Sequence, residues 1–293
     1  MIAADVAAAR AVCDARDPNL EGIPTFVALE DLGGGGDPSA VPLLTSLAAP
    51  YVEDAGDLAK GLEALAVSHF GPETELPGFV RVINYHNTIA RHRAALRAQL
   101  QQAAAQFAPV SESEMMALIA GAPWTKDRPP IIPVFYEGYR NNYDVALPLL
   151  EELGLIGWFV VPSAFLDTPV AEQRAMAERY DIGLQDEDDQ PADGRFALTW
   201  DELRDIADRG HVVACHTAHH RGTADILTPD DVEVELVGSR ARLQEQLGRE
   251  VRALAFLWGS PWGEAPAVDA AVVDAGYELV ISNLKWQRLP AAA

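Results

Sequence analysis

The apolar and polar positions of this 293-residue chain change in pattern near residue 77. Beyond that point, short apolar runs typical of strands alternate with segments whose apolar positions recur at helical spacing. The strand-like runs are FVRVINYH, IIPVFY, GWFVV, HVVACH, VRALAFLW and YELVIS. Because strands that alternate with helices pair in parallel, the pattern predicts an α/β domain. Its parallel sheet is expected to close, or nearly close, into a deformed (β/α) barrel.

Start and stop signals bound the helices between these strands. Ser111 with Glu114, and Thr199 with Glu202, have the spacing of a capping box, in which each side chain bonds the other residue's backbone. Thr228 is the expected cap of a third helix, because Pro229 follows it at the first helical position. The predicted helix ends fall at Gly121, Gly154, Gly210 and Gly248.

Residues 1–77 lack this regular alternation. The stretch DLGGGGDPSAVP is loop or hinge material, because four glycines cost too much conformational entropy inside an element. The segment after it has mostly helical periodicity. We therefore divide the chain into a mostly helical N-terminal extension, 1–77, and a barrel domain, 78–293. The extension is a small domain, a segment packed on the barrel or an oligomer contact.

Composition and charge narrow the function classes. The net charge of -22 and the sequence pI near 4.5 argue against nucleic acid or an anionic membrane as partner. No apolar run approaches the roughly 20 residues that a membrane span needs. The two cysteines, Cys13 and Cys215, cannot form a disulfide framework. We expect a cytoplasmic protein with a small-molecule or saccharide substrate; homo-oligomerisation stays open. The acidic run Gln185–Gly194 is expected to be a solvated loop, with a substrate lid or cation site as alternatives.

The sequence GHVVACHTAHH places three histidines, His216, His219 and His220, at the C-terminal end of a buried strand. Barrel enzymes have their active sites at that end of the strands. The spacing of His216 and His220 allows both imidazoles to bind one divalent ion. The alternative is a pair of half-buried histidines bonded to backbone. Glu137, at the end of another strand, is the candidate third ligand, or else a surface acid.

Further candidates stand at other strand ends. Tyr136 precedes Glu137, and His86 follows the first strand of the barrel; each is a packing residue or a proton-transfer group. The turn LWGSPWGEAP, which contains Trp258 and Trp262, can offer a backbone N–H to an oxyanion and an aromatic wall to a ligand. The alternative for this turn is a tight bend shielded by its tryptophans.

The order of these motifs resembles the polysaccharide deacetylase family (carbohydrate esterase family 4, the NodB-homology fold). The matching pieces are Tyr85-His86, VFYEGY, YDVALPLLEELGL, RGHVVACHTAHH and SPWG, and the resemblance spans roughly residues 78–290. It implies a divalent metal ion, with zinc expected, on Glu137, His216 and His220. It also places Tyr136 where the family has its catalytic aspartate. Gly259 falls where the family has an arginine, and no histidine follows His220 to serve as the late general acid.

The resemblance and its departures imply a divergent hydrolase of carbon–nitrogen bonds in an amide, imide or N-acyl compound, acting on a small molecule or sugar derivative. Tyr136, His219 and His86 are the predicted catalytic groups, since the usual acid–base pair is missing. Trp258, Trp262 and Arg140 are the predicted ligand-binding residues. Two alternatives remain: a catalytically silent binding protein, and a lyase or isomerase that uses Tyr136 as its acid–base group.

Overall fold

The computed structural model describes residues 25–26, 81–119, 122, 124–128, 130–184, 193–260, 265–281 and 286–288. The strands within these ranges all join one sheet. They are β1 (Thr25–Phe26), β2 (Arg81–Tyr85), β3 (Ala108–Pro109), β4 (Pro130–Phe135), β5 (Trp158–Val161), β6 (Val212–Cys215), β7 (Ala253–Ala255), β8 (Leu279–Ile281) and β9 (Trp286–Arg288).

The sheet runs in the order β1-β9-β8-β7-β6-β5-β4-β2, with β3 beside β4. Pairing is parallel from β2 through β4, β5, β6 and β7 to β8. At the other edge β9 pairs antiparallel with β8, and β1 pairs antiparallel with β9. The parallel strands curl into a half-barrel, which confirms the predicted α/β fold.

The α-helices of the described ranges cover the sheet. They are α1 (Arg93–Gln106), α2 (Glu112–Ile119), α3 (Leu147–Leu153), α4 (Ser163–Asp167), α5 (Gln173–Arg179), α6 (Trp200–Asp208), α7 (Pro229–Val232), α8 (Ser239–Leu247) and α9 (Pro266–Asp274). π-helical turns precede α3 (Asn142–Ala146) and join α7 to α8 (Glu233–Gly238). The chain pattern did not predict α4, α5 or α9, because five to nine residues carry too few turns for a clear period.

The predicted helix caps are present. Thr199 and Glu202 form both bonds of a capping box at the start of α6, and Ser111 bonds Glu114 in the same way before α2. Thr228 caps α7, with Asp231 as its partner. Helices α3 and α8 end at Gly154 and Gly248, both in the left-handed conformation that glycine favours. Gly121 lies outside the described residues.

Alternation along the strands divides the core into two clusters. Phe135, Phe159 and Cys215 belong to the larger cluster, which packs against the helices. Their neighbours in sequence point to the other face, where they form a second cluster around Trp158. Tyr136 joins this second cluster one residue beyond the end of β4. The period of two thus brings the side chains that follow β4 and β6 toward the same face.

Two predictions fall largely outside the described ranges. Of the N-terminal extension, Thr25–Phe26 is described, and it forms the edge strand β1. The division at residue 77 therefore stays a prediction. Of the acidic run Gln185–Gly194, the final two residues are described. None of the helices in the described part of the chain has the length and apolar character needed to cross a membrane.

Candidate metal centre

A cavity of about 490 Å³ opens at the carboxyl ends of the parallel strands. The residues that follow β2, β4, β6 and β7 all contribute to its wall. The lining includes His86, Tyr136, Glu137, His216, Phe256 and Trp258, together with His220 and Asp181 from the loops. This is the end of a parallel sheet at which ligands bind, because the loops there vary without disturbing the strands.

Glu137, His216 and His220 meet inside this cavity, and all three are buried. One ligand atom from each lies within 4.8 Å of the other two. Glu137 Oε1 is 3.8 Å from His216 Nε2 and 3.5 Å from His220 Nε2. The three side chains predicted to converge from separate strand ends are therefore brought together.

Each of the two histidines is oriented by a backbone carbonyl. His216 Nδ1 lies 2.9 Å from the carbonyl oxygen of Ala255, and His220 Nδ1 lies 2.8 Å from that of Tyr180. A carbonyl can only accept, so each Nδ1 donates a hydrogen bond to its carbonyl and each Nε2 faces Glu137. Metal-binding histidines are held in this way, by a hydrogen bond from the ring nitrogen that does not bind the ion.

Two buried atoms of the cluster lack hydrogen bonds. Neither Glu137 Oε2 nor His220 Nε2 has a hydrogen-bond partner. Leaving a buried polar group unsatisfied costs about 1–3 kcal/mol, and more when the group is charged. A divalent cation removes this cost, because it binds both the carboxylate oxygen and the imidazole lone pairs. Two imidazoles and one carboxylate are a common donor set for zinc and similar ions, so the residues present fit the metal.

The protonation states agree with this fit. Burial alone would raise the pKa of Glu137, but His86, His216 and His220 outweigh burial and lower that pKa to about 2. Burial lowers the pKa of His216 despite the adjacent carboxylate. At neutral pH the cluster is therefore an ionised carboxylate beside a neutral His216 ring, which are the forms that bind a metal.

The backbone around the cavity is locally unusual. Among the described residues other than glycine, positive φ angles of 56° to 64° occur at Glu137, Asp181, Thr217, His220 and Trp258. Four of these five line the cavity, and Thr217 directly follows His216. A left-handed backbone costs a residue with a side chain roughly 1–2 kcal/mol. Strain of this kind clusters at functional sites, where the surrounding structure maintains it.

The turn that carries His216 and His220 is held from two sides. The backbone N–H groups of Ser163 and Ala164, at the start of α4, donate to the carbonyls of Thr217 and Ala218. On the other side, the buried carboxylate of Glu235 accepts the backbone N–H groups of Ala218 and His219 at 3.0 and 2.8 Å. The same carboxylate binds His219 Nδ1 at 2.8 Å. These contacts fix the positions of the two candidate metal-binding histidines, His216 and His220.

The three predicted catalytic residues lie in different surroundings. The Tyr136 ring packs against His86, with centroids 5.5 Å apart, and against His216 at 5.4 Å. His86 Nε2 is 3.5 Å from Glu137 Oε1, and the His86 side chain is 47% exposed. His219 does not join the cavity lining but faces Glu235. His86 and Tyr136 thus line the cavity and His219 does not, while the catalytic roles of all three stay predictions.

The predicted ligand-binding residues also lie in different surroundings. Trp258 lines the cavity and is 74% exposed. Trp262 lies outside the described residues. Arg140 does not join the lining, since its guanidinium pairs with Asp144 at 2.9 Å and with Asp193 at 2.6 Å. The ligand-binding role predicted for Arg140 gains no support from this position.

Two residues of the site escaped the sequence analysis. Asp181 lines the cavity from the loop after α5, and Glu235 holds the histidine turn from the π-helical segment. The sequence contains only a faint signal for Glu235, an acid that stands beside the apolar Leu236 within a predicted helix. Asp181 follows no predicted strand, and its position depends on how the loop folds back over the barrel.

Comparison with known proteins shows that this chain is similar in sequence to one protein family. A family model described as polysaccharide deacetylase matches residues 125–280, which is more than half of the chain. Among curated proteins, no sequence matches at a significant level. The Streptococcus pyogenes deacetylase PplD, solved in complex with acetate, is 16% identical with a TM-score of 0.51, covering 68% of this chain and 80% of its own.

Two further solved structures have lower scores. IcaB from Ammonifex degensii is 20% identical with a TM-score of 0.49, covering 68% of this chain and 81% of its own. The BpsB deacetylase domain from Bordetella bronchiseptica is 21% identical with a TM-score of 0.45, covering 60% of this chain and 72% of its own. Because PplD is only 16% identical to this chain, its structural similarity to the chain concerns the fold alone.

Proposed function

Because the chain belongs to the polysaccharide deacetylase family, we propose that it is a metal-assisted hydrolase that removes an acyl group from nitrogen. The substrate is a small amide, imide or N-acyl compound, or an N-acylated sugar derivative. Glu137, His216 and His220 hold the metal, with zinc as the expected ion.

One observation carries the proposal: the buried Glu137 Oε2 and His220 Nε2 have no hydrogen-bond partner, in a cluster whose two histidine rings are each oriented by a backbone carbonyl. A purely structural cluster would satisfy such atoms internally. When bound there, a divalent ion polarises the acyl carbonyl and lowers the pKa of its bound water.

The chain's own groups handle the proton. His86 lies beside Glu137 with half of its side chain open to the cavity, so its imidazole is placed to accept a proton as water adds to the acyl carbon. The carbon–nitrogen electron pair then stays with nitrogen, which takes up a proton and leaves as the amine. Tyr136 packs on His86 and holds that ring at the cavity wall, and its hydroxyl is the group proposed to donate the proton to the leaving nitrogen.

The cavity suits a compact substrate. Its volume of about 490 Å³ lies within the range of roughly 300–1,000 Å³ that is usual for small-molecule sites. The exposed Trp258 offers an apolar face at the rim, on which a sugar ring or another flat group can stack. One sugar unit or a small cyclic amide therefore fits the proposal.

Metal analysis combined with a substrate panel tests the proposal. Protein purified without added metal is expected to contain about one equivalent of a divalent ion, and His216→Ala or His220→Ala to retain less than roughly a tenth. His92→Ala is the control, because this histidine lies outside the cavity lining. The panel contains N-acetylated sugars, cyclic imides and simple amides. Metal-free protein with no turnover across the panel would refute the proposal.

A binding protein without turnover is the second candidate. Tyr136 occupies the position at which the family resemblance places an aspartate, and a tyrosine is a weak base with a usual pKa near 10. One equivalent of tightly bound metal, together with ligand binding and no turnover, would favour this second function.

A further inference from the structure

A second carboxylate, that of Asp181, lines the same cavity as the candidate metal centre. Glu137 and Asp181 are the acidic residues among the described residues of the cavity wall. Glu137 is surrounded by imidazole nitrogens, whereas the Asp181 side chain is exposed. Within the part of the chain that the structure describes, no side chain pairs with the Asp181 carboxylate. It is therefore the acid at this site that can contact a ligand.

The loop that carries Asp181 is tied to the site by its backbone. The carbonyl of Tyr180, the preceding residue, accepts the bond from His220 Nδ1 at 2.8 Å. The carbonyl of Gly183 accepts bonds from Asn87 Nδ2 and from the Tyr139 hydroxyl, each at 2.6 Å. Three donors from other elements thus fix the chain on both sides of Asp181 and hold its carboxylate at the cavity wall.

A simpler explanation is that Asp181 serves only to turn the chain. Its φ is 56°, and aspartate tolerates this conformation better than most residues do. Asparagine and glycine tolerate it as well or better. A role confined to the turn therefore predicts that Asp181→Asn is silent in binding, which makes the two explanations separable.

We propose that Asp181 binds the nitrogen side of the substrate, accepting the amide N–H before cleavage and pairing with the ammonium group of the released amine. This inference rests on the proposed function and deepens it. Hydrolysis adds water across the carbon–nitrogen bond, and the amine then takes up a proton to become a cation. An ionised carboxylate only accepts hydrogen bonds, so it suits an N–H donor and a cation alike. The site accordingly selects amides whose nitrogen carries a hydrogen.

Calorimetric binding of D-glucosamine tests this without any need for turnover. We expect Asp181→Asn to weaken glucosamine binding about tenfold or more, because one charge-assisted contact to the ammonium group is lost. Glucose has no amine and should bind the wild type and the variant equally. Asp230→Asn removes the same charge at an exposed position outside the cavity lining, and it should bind glucosamine like the wild type. Melting temperatures of the three proteins check that each is folded.

The outcomes are distinct. Equal glucosamine affinity in the wild type and Asp181→Asn, or no glucosamine binding to the wild type, would overturn the inference. Loss of glucosamine binding in Glu137→Gln but not in Asp181→Asn would assign the ammonium group to the metal centre and overturn it also. Absence of metal and turnover would count against the proposed function alone, since the binding comparison uses the protein as purified.

Discussion

Glu235 binds His219 through both of its carboxylate oxygens: Oε1 lies 2.8 Å from the ring Nδ1, and Oε2 lies 2.8 Å from the backbone nitrogen. Burial alone would raise the pKa of Glu235, but its contacts with His219 and with the neighbouring N–H groups lower it. The Glu235 carboxylate is therefore ionised, and it holds the turn that carries both candidate metal-binding histidines.

We expect Glu235→Gln to reduce metal affinity by roughly 10- to 100-fold, as is usual for groups that orient metal ligands. The amide keeps the size of the side chain but cannot accept all three N–H bonds with both of its heteroatoms. Affinity is measured by competition with a chelating dye. Glu233→Gln, an exposed position on the same helical segment, is the control and should leave affinity unchanged. Unchanged affinity in Glu235→Gln would mean that the turn holds its shape without this carboxylate.

Tyr136→Phe removes one hydroxyl group and keeps the ring that packs on His86 and His216. We expect metal content and melting temperature to stay near those of the wild type. Turnover should fall about 100-fold, since general acid–base help is typically worth 10²–10⁴ in rate. Steady-state rates on the best substrate of the panel give the measurement. Undiminished turnover would leave proton transfer to His86 and reduce Tyr136 to packing.

Gly138 and Gly154 form a matched pair for testing crowding beside the site. Both have left-handed backbones, with φ of 66° and 67°. A Cβ on Gly154 would meet nothing within 4 Å, whereas one on Gly138 would lie 3.1 Å from Val161 and 3.2 Å from Leu166. Gly154→Ala should cost roughly 1–2 kcal/mol from backbone strain, and Gly138→Ala about 1–3 kcal/mol more from crowding. Urea unfolding of both variants measures the difference, and equal losses would show that the Gly138 surroundings relax.

Glu202 should make stability depend on pH. Burial raises its pKa, but the Arg195 guanidinium and the Thr199 backbone N–H outweigh burial and lower that pKa below the ordinary value of 4.5. The stabilisation is therefore present above about pH 4.5, the ordinary value for the unfolded chain, and is lost as pH falls through the folded-state pKa.

We expect Glu202→Gln to cost about 1 kcal/mol at pH 7, or roughly 2–4 °C in melting temperature. The gap between wild type and variant should shrink below pH 4.5. Glu178→Gln, at an exposed position, is the control and should show no gap at either pH. A gap that stays constant from pH 7 to pH 3 would contradict an origin in the ionised carboxylate.

The sequence was sufficient for features that depend on neighbours along the chain. Thr199 and Glu202 are three residues apart, so their capping box follows from local geometry alone. Strand alternation and the common end of parallel strands likewise placed Glu137 near His216. Each of these inferences needs only the period of an element and the rule that parallel strands end at the same edge.

The contributions of Asp181 and Glu235 could not be found in this way. Glu235 reaches a turn 16 residues earlier, through a π-helical segment that shifts the helix register. Asp181 depends on a loop whose position is set by contacts with Asn87 and Tyr139, which are distant in sequence. The sequence likewise could not show that His219 faces Glu235, because the partner of a side chain depends on tertiary packing.

The pairing of β1 with β9 bears on how this protein should be handled and expressed. Strand β9 is the last strand among the described residues, and Thr25–Phe26 bonds along the side of it that faces away from β8. A chain shortened to begin at residue 78 would leave that side of β9 with bare N–H and C=O groups. Bare strand edges are templates on which a second copy can add its own strand, and then a third. Thr25–Phe26 thus occupies the edge of β9 at which a second copy would otherwise pair.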